Sequence, residues 1–196
     1  MNLEEQETAA PDLLAVPLFP VNPIVWIDED EAVPAAIEGI ARASAAGLDV
    51  ETTLDDPPRL CTIQIAIPGK TFVFDPLNLK DLAPIYRVLT DPGVLKIVHY
   101  SPFEQGVFRR LGVEIGPIFD TFDASKKLRG EMTRWAHGLD AVCRRELGRP
   151  LDKTYQKSHW LRRPLSPGQI EYAALDAEVM LTLYDIFSRG LKASGE

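Results

Sequence analysis

The sequence predicts an α/β domain built on a mixed β-sheet covered by helices, with a helical C-terminal third. Three observations predict it. Apolar runs of strand length recur between residues 24 and 99, and the runs at 60–67 and 71–74 flank a tight Pro68-Gly69-Lys70 connection that makes them antiparallel neighbours. Strand and helix patterns alternate after that, the order expected of a sheet with helices packed on it. From Gly138 onward the periodicity is helical. At 196 residues the chain is long enough for one well-buried core and too short for two ordinary domains with a linker.

Residues 1–22 are polar, then rich in Pro and small residues, with an apolar patch at Leu13-Leu14-Ala15-Val16. They read as a tail passing into a segment that lies against the domain or a partner subunit. The run 24–27 is a short strand. Asp28 to Asp30 supply caps for a helix predicted over 31–45, where Val33, Ile37 and Ile40 recur at helical spacing. Gly47 is expected to end that unit and a strand carrying Asp49 to begin. Asp55-Asp56-Pro57-Pro58 is a turn signal, and the strand at 60–67 has Gln64 as its polar member. A helix over 79–89 and the Asp91-Pro92-Gly93 break precede a strand at 95–99. Pro102 suits the first turn of a helix ending before Gly112. Further helices are predicted over 120–128 and 138–147, with Leu139, Val142 and Leu147 facing inward. Residues 149–165 show little periodicity and many basic and aromatic groups. Ser166 and Pro167 open a last helix running to about residue 189. The domain therefore spans 23–190, with residues 191–196 as a tail.

Apolar residues make up 45% and charged residues 26%, the profile of a soluble protein, and no run approaches the length of a membrane span. Cys61 and Cys143 sit in apolar contexts without zinc or disulfide spacing. They read as buried thiols of a reducing, cytoplasmic compartment. The net charge of -8 excludes a simple basic nucleic-acid coat. Its distribution is uneven: residues 1–58 carry 13 acidic side chains and one basic one, whereas residues 126–163 carry 11 basic and 4 acidic. One side can hold a polyanion while the other stays acidic; the bland alternative is an acidic protein with an accidental asymmetry.

Asp49 and Glu51 stand two apart in a strand pattern, so they emerge on one face while Leu48 and Val50 take the other. Strands disfavour acidic residues, and adjacent like charges raise each other's pKa unless a cation neutralises them. His99 ends the strand at 95–99, and Glu104 lies early in the next helix, at the strand end where open α/β sheets bind ligands. Tyr172 and Asp176, four apart, share one face of the last helix, with small Ala173 and Ala174 beside them. Such oxygen donors suit Mg²⁺ or Mn²⁺, and an ion pair about 3.5–4 Å apart activates water and stabilises a leaving oxygen. The competing readings are a solvated strand end and a decorated helix face. The chain has no Gly-rich phosphate loop and no serine-nucleophile motif.

The motifs, taken in order, resemble the 3′-5′ exonuclease domain of the DEDD superfamily, in the tyrosine-bearing branch with ribonuclease D and small stand-alone exoribonucleases. Asp49-Val50-Glu51-Thr52 matches the first motif, and Lys96-Ile97-Val98-His99 reaching Glu104 the second. Asp120-Thr121, His137-Gly138-Leu139, Leu151-Asp152-Lys153, Gln156, Ser158, Trp160, Arg163-Pro164-Leu165 and Tyr172-Ala173-Ala174 with Asp176 complete the series. Two positions depart from it: Glu104 stands where the family usually has Asp, and His159 where an acidic residue is frequent.

The resemblance implies a ribonuclease H-like fold and a metal-dependent hydrolase releasing nucleoside 5′-monophosphates from single-stranded RNA or DNA with a free 3′ end. It implies two Mg²⁺ or Mn²⁺ ions, one held by Asp49, Glu51 and Asp176, the other by Asp49 and Glu104. Tyr172 would orient the attacking water. Thr52, His99 and Phe103 would contact substrate, against the competing readings of a packed, hydrogen-bonded histidine and a core phenylalanine, and Lys126, Lys127, Arg162 and Arg163 are candidates for phosphate. The chain lacks room for the helical accessory domains of full-length ribonuclease D, which favours short or unstructured ends or a homo-oligomer; a membrane partner is not expected. The alternative is a catalytically impaired binding or scaffold module of the same fold, altered at Glu104.

Overall fold

Six short apolar segments pair into one mixed sheet in the computed structural model, which describes residues 16–130 and 133–195. The patch residues Leu13, Leu14 and Ala15 lie outside these. The strands are β1 (Ile24–Ile27), β2 (Ala45–Thr52), β3 (Leu60–Ile67), β4 (Lys70–Phe74), β5 (Leu95–Val98) and β6 (Ile118–Asp120). Their order is β1-β4-β3-β2-β5-β6. β3 is antiparallel to β2 and β4, and the other three pairings are parallel.

Alternation along β2 and β3 divides the structure into layers. Leu48, Val50, Ile63 and Ile65 enter the main core with Val33, Ile40, Ile85, Val88, Val107 and Phe108. These come from helices α1 (Val33–Ala41), α2 (Ala83–Thr90) and α3 (Pro102–Arg110). Each such buried side chain contributes about 1.5–3 kcal/mol. On the opposite face lie α4 (Thr121–Arg129), α5 (Leu139–Leu147) and α6 (Pro167–Ser194). Ala124, Val142, Cys143, Leu175, Val179, Leu183 and Phe187 form a second core there. Cys61 and Cys143 are free thiols, and burial pushes them up to about 11 and about 12.

α6 opens with a capping box. The Ser166 Oγ accepts from the Gln169 N–H at 3.2 Å, and Gln169 Oε1 accepts from the Ser166 N–H at 3.0 Å. The helix continues to Ser194, beyond the predicted end. Residues 18–22 run beside it, where Glu178 Oε1 accepts from the Val21 N–H at 2.9 Å and the Leu18 N–H donates to the Pro150 carbonyl.

Several elements differ from expectation. The helix predicted over 31–45 stops at Ala41, because Ala45, Ala46 and Gly47 pair with Leu95, Lys96 and Ile97. Sheet pairing outweighs the helix preference of those alanines. Asp30 does not cap that helix; its Oδ1 accepts from the backbone of Lys80 and Asp81. α2 begins at Ala83 rather than 79, since the Asp75 carboxylate holds residues 75–78 in a turn. β6 had no sequence signal: three half-buried residues gain their strand geometry from pairing with β5.

Gly47 lies inside β2 rather than closing a helix. A Cβ there would stand 2.0 Å from the Ala177 carbonyl oxygen and 3.1 Å from Met180 Cβ. Strand and helix backbones therefore touch. Gly47→Ala is expected to destabilise the chain by more than about 3 kcal/mol, read as a fall in the denaturant midpoint at unchanged slope. Gly39 in α1 is the control: its added Cβ would meet Phe72 at an ordinary 3.6 Å, so Gly39→Ala should gain about 0.5–1 kcal/mol. Equal effects from the two changes would remove the backbone-contact account.

Candidate active site

The close approach at Gly47 sets Asp176, one residue before Ala177, over the acidic face of β2. One carboxylate oxygen each from Asp49, Glu51 and Asp176 lies within 4.8 Å of the others. Among the described residues this is the single cluster of metal-ligand geometry. Burial raises the Asp49 carboxyl well above its ordinary range, and the charge of Asp176 adds to that. Burial, then Asp49 and Asp176, push Glu51 up to about 10. Asp176 is raised by burial to about 7, opposed by the Tyr172 hydroxyl and Lys153. Three carboxylates desolvated together, without a basic residue among them, form a donor set that a divalent cation fits.

Glu104 stands beside this trio, against Asp49. It is 2% exposed, and its Oε2 is buried with no hydrogen-bond partner among the described residues. Burial and the Asp49 charge raise its pKa. An orphaned carboxylate oxygen facing an acidic cluster also fits a cation.

The turn after β5 aims these groups. Asp120 accepts from the Tyr100 N–H at 3.0 Å, the Ser101 N–H at 2.7 Å and, as cap of α4, the Phe122 N–H at 2.9 Å. Those bonds hold Tyr100 at φ 70°, a left-handed conformation costly for tyrosine, and start α3 so that Glu104 faces inward. The Thr121 hydroxyl donates to the Val98 carbonyl and pairs with His99 Nδ1 at 2.9 Å. Burial lowers His99 to about 4, so its ring is neutral near pH 7.

A cavity of about 590 Å³ lies above the carboxylates. It gathers most of the predicted site residues: Asp49, Glu51, Thr52, His99, Phe103, Glu104, Tyr172 and Asp176. Phe103 is 43% exposed, a surface position and not the core one that its hydrophobicity suggests. The basic candidates are elsewhere. Lys126 and Lys127 line a separate cavity of about 860 Å³ beside α4. Arg162 is exposed. Arg163 gives Nε and Nη2 to the buried Asp75 at 2.6 and 2.7 Å and reaches the carbonyls of Cys61 and Trp160. Its guanidinium is spent inside the protein. Gln156 and Lys157 line the cavity too. They come from the aperiodic basic stretch, where Gln156 was a motif match and Lys157 was marked by composition alone.

The raised carboxyl pKa values fix a pH dependence. The folded chain holds protons on Asp176 and Glu51 that the unfolded chain releases near 3.8 and 4.5. Stability is therefore greatest below about pH 4 for these groups and falls as pH rises through 7 toward 10. In chelator, Tm should drop between pH 5 and pH 8. Mn²⁺ or Mg²⁺ at a hundredfold over its Kd should raise Tm by about 5–10 °C at pH 8 and by less at pH 5, where protons compete. Thermal melts of the parent and of Asp176→Asn check this; a metal shift independent of pH and of Asp176 would oppose it.

Residues 24–192 match the family model described as a 3′-5′ exonuclease. Ribonuclease D of Granulibacter bethesdensis is 33% identical over 182 residues, covering 90% of this chain and 45% of that protein. The structure of Escherichia coli RNase D, an exoribonuclease involved in structured RNA processing, is similar with a TM-score of 0.78 at 29% identity, over 87% of this chain and 45% of that one. Brucella melitensis NrnC bound to pGG is similar with a TM-score of 0.73 at 28% identity, over 89% and 84% of the two chains. The chain spans 26% to 46% of the length of the first curated relatives it matches. Among the described residues no helix is long and apolar enough to cross a membrane. A match of this length, over a fold whose strand β2 and helix α6 bring the acidic trio together, means that the chain belongs to the 3′-5′ exonuclease family, as a DEDD-superfamily domain resembling ribonuclease D and related small exoribonucleases.

Proposed function

We propose that the chain removes nucleoside 5′-monophosphates from the free 3′ end of single-stranded RNA or DNA, using two Mg²⁺ or Mn²⁺ ions. The observation that carries this reading is the desolvated trio of Asp49, Glu51 and Asp176 with the orphaned oxygen of Glu104 beside it. Asp49, Glu51 and Asp176 would hold one ion, and Asp49 with Glu104 the other. When bound, the ions supply an activated water and charge neutralisation at the leaving oxygen.

The protein groups around them position the reactants. Tyr172 is half-buried, with the Tyr155 and Trp160 rings 6.4 and 6.1 Å away, and its pKa is raised by burial and by Asp176 and Glu51. A phenol so disinclined to ionise orients the attacking water by hydrogen bonding and does not act as its base. In the step itself the water oxygen joins phosphorus and the P–O3′ bond breaks. The proton lost by the water passes to solvent, and the leaving 3′ oxygen takes one up, giving a mononucleotide and a chain shortened by one. With the Thr121 hydroxyl donated to Val98, neutral His99 donates its Nδ1–H to Thr121, and its Nε2, without a protein partner among the described residues, accepts a hydrogen bond from the substrate beside it. Phe103 presents a ring face to a base, and Thr52 lines the same wall. The likeness to NrnC bound to pGG supports short oligonucleotides as substrates.

A 5′-labelled oligonucleotide should be shortened stepwise from its 3′ end in Mg²⁺ or Mn²⁺ and remain intact in chelator. Tight binding without release of mononucleotides under either metal would sink the proposal in favour of a binding module. Asp176→Asn should lower turnover by about 10²–10³-fold. Glu104→Gln should depress turnover more than single-strand affinity, because developing charge on the leaving oxygen loses a cation. Glu104→Asp should stay within about tenfold of the parent, since it keeps the carboxylate. Parent-like activity of Glu104→Gln at limiting metal, with Asp176→Asn inactive, would show that Glu104 is no ligand.

A further inference from the structure

The cavity over the carboxylates has a second mouth. A space of about 410 Å³ adjoins it, and the two share Leu139, Gln156, Tyr172 and Asp176 as common walls. Trp135 and Lys153 line the second space and not the first. The two spaces meet along Asp176 and Tyr172, with Phe103 lining the first and Trp135 the second.

Trp135 is 86% exposed, against 3% for Trp160. A tryptophan leaves most of its apolar area in water only at some cost, and exposed aromatic faces beside a polar groove are what bases stack on. The indole is carried on a 3-10 turn, Arg134–His137, that is pinned on three sides. The Arg134 guanidinium lies 4.8 Å over the Tyr100 ring, His137 Nδ1 pairs with Ser125 Oγ at 2.8 Å, and Arg145 Nη1 donates to the Ala136 carbonyl at 2.8 Å. Lys153 lines the same space, its Nζ 3.9 Å from Asp140, with its side chain 56% exposed. It provides positive charge next to the reacting carboxylates, and Asp176 feels it.

We infer that the second mouth is a nucleotide subsite in which Trp135 stacks on one base of the 3′-terminal dinucleotide, on the far side of the scissile phosphate from Phe103, with Lys153 beside the phosphate. The inference deepens the exonuclease reading and rests on it. Two stacking faces flanking one cleavage point require two unpaired nucleotides, whose faces are accessible only when the end is single-stranded. The selectivity is for strandedness and not for sequence, because every base has a π-face.

Binding and turnover test it separately. With Ca²⁺ in place of Mg²⁺, titration of a short single-stranded oligonucleotide should quench the emission of the exposed tryptophan, and Trp135→Phe should lose that quench while still binding. In Mg²⁺, Trp135→Ala should lower kcat/KM about tenfold, mainly through KM, the order expected of one base–aromatic stack, and Trp135→Phe should recover most of it. An abasic residue placed in turn at the last two positions completes a double-mutant cycle. At one position the abasic loss and the Trp135→Ala loss should fail to multiply; independent losses at both would overturn the subsite. Quenching that depends on Trp135 without turnover would sink the exonuclease reading and leave the stack standing. Turnover with neither quench nor coupling would sink the stack alone, and the absence of quench and turnover together would sink both.

Discussion

Strand β2 and helix α6 meet backbone to backbone at Gly47 and Ala177, closer than any side chain on the strand would permit. The acidic site depends on that contact. Asp49 is two residues along the strand from Gly47, and Asp176 is one residue before Ala177, so a fixed crossing brings their carboxylates together. The small residues Ala173, Ala174 and Ala177, all fully buried, continue the same close approach along the helix. The packing that positions the carboxylates also encloses them on the helix side, leaving the cavity as their open side.

That arrangement is costly in the absence of a cation, since burial and mutual repulsion both oppose the charged forms. The rest of the fold supplies the opposing stabilisation. The main core on the other face of the sheet is an apolar cluster running from Ile27 to Ile115. At the sheet's far side Arg163 joins the buried Asp75 to the Cys61 and Trp160 carbonyls. A buried ion pair adds little net stability, but this one ties the aperiodic segment before α6 to β3 and β4. Trp160 and Tyr155 are thereby seated against the Tyr172 ring.

The two local pairs of the site were legible in the sequence, because each depends on a backbone period. Asp49 and Glu51 share a face by the strand repeat of two, and Tyr172 and Asp176 by one turn of helix. The convergence of the pairs was legible only through the family motifs, since no local period reports a contact between residues 49 and 176. Gly47 shows the limit clearly. A glycine after an alanine-rich helical pattern reads as a terminator, and its use as a point of close approach appears only when α6 is in place. Arg163 was a cation in a basic stretch, so a phosphate contact was the natural expectation; its partner Asp75 lies 88 residues away. Trp135 carried no signal, because sequence does not distinguish a core indole from an exposed one.

The two cysteines have a practical consequence. Thiol chemistry proceeds through the thiolate, and both native sulfurs are enclosed, with ionisation displaced to about 11 and about 12. Alkylating reagents at neutral pH should pass over them while the chain is folded. A cysteine introduced on the surface would then be the sole reactive handle, so a spin label or fluorophore could be placed at the groove without first removing Cys61 or Cys143. The same enclosure makes both native thiols silent reporters of unfolding, because they become reactive only when β3 or α5 leaves its core.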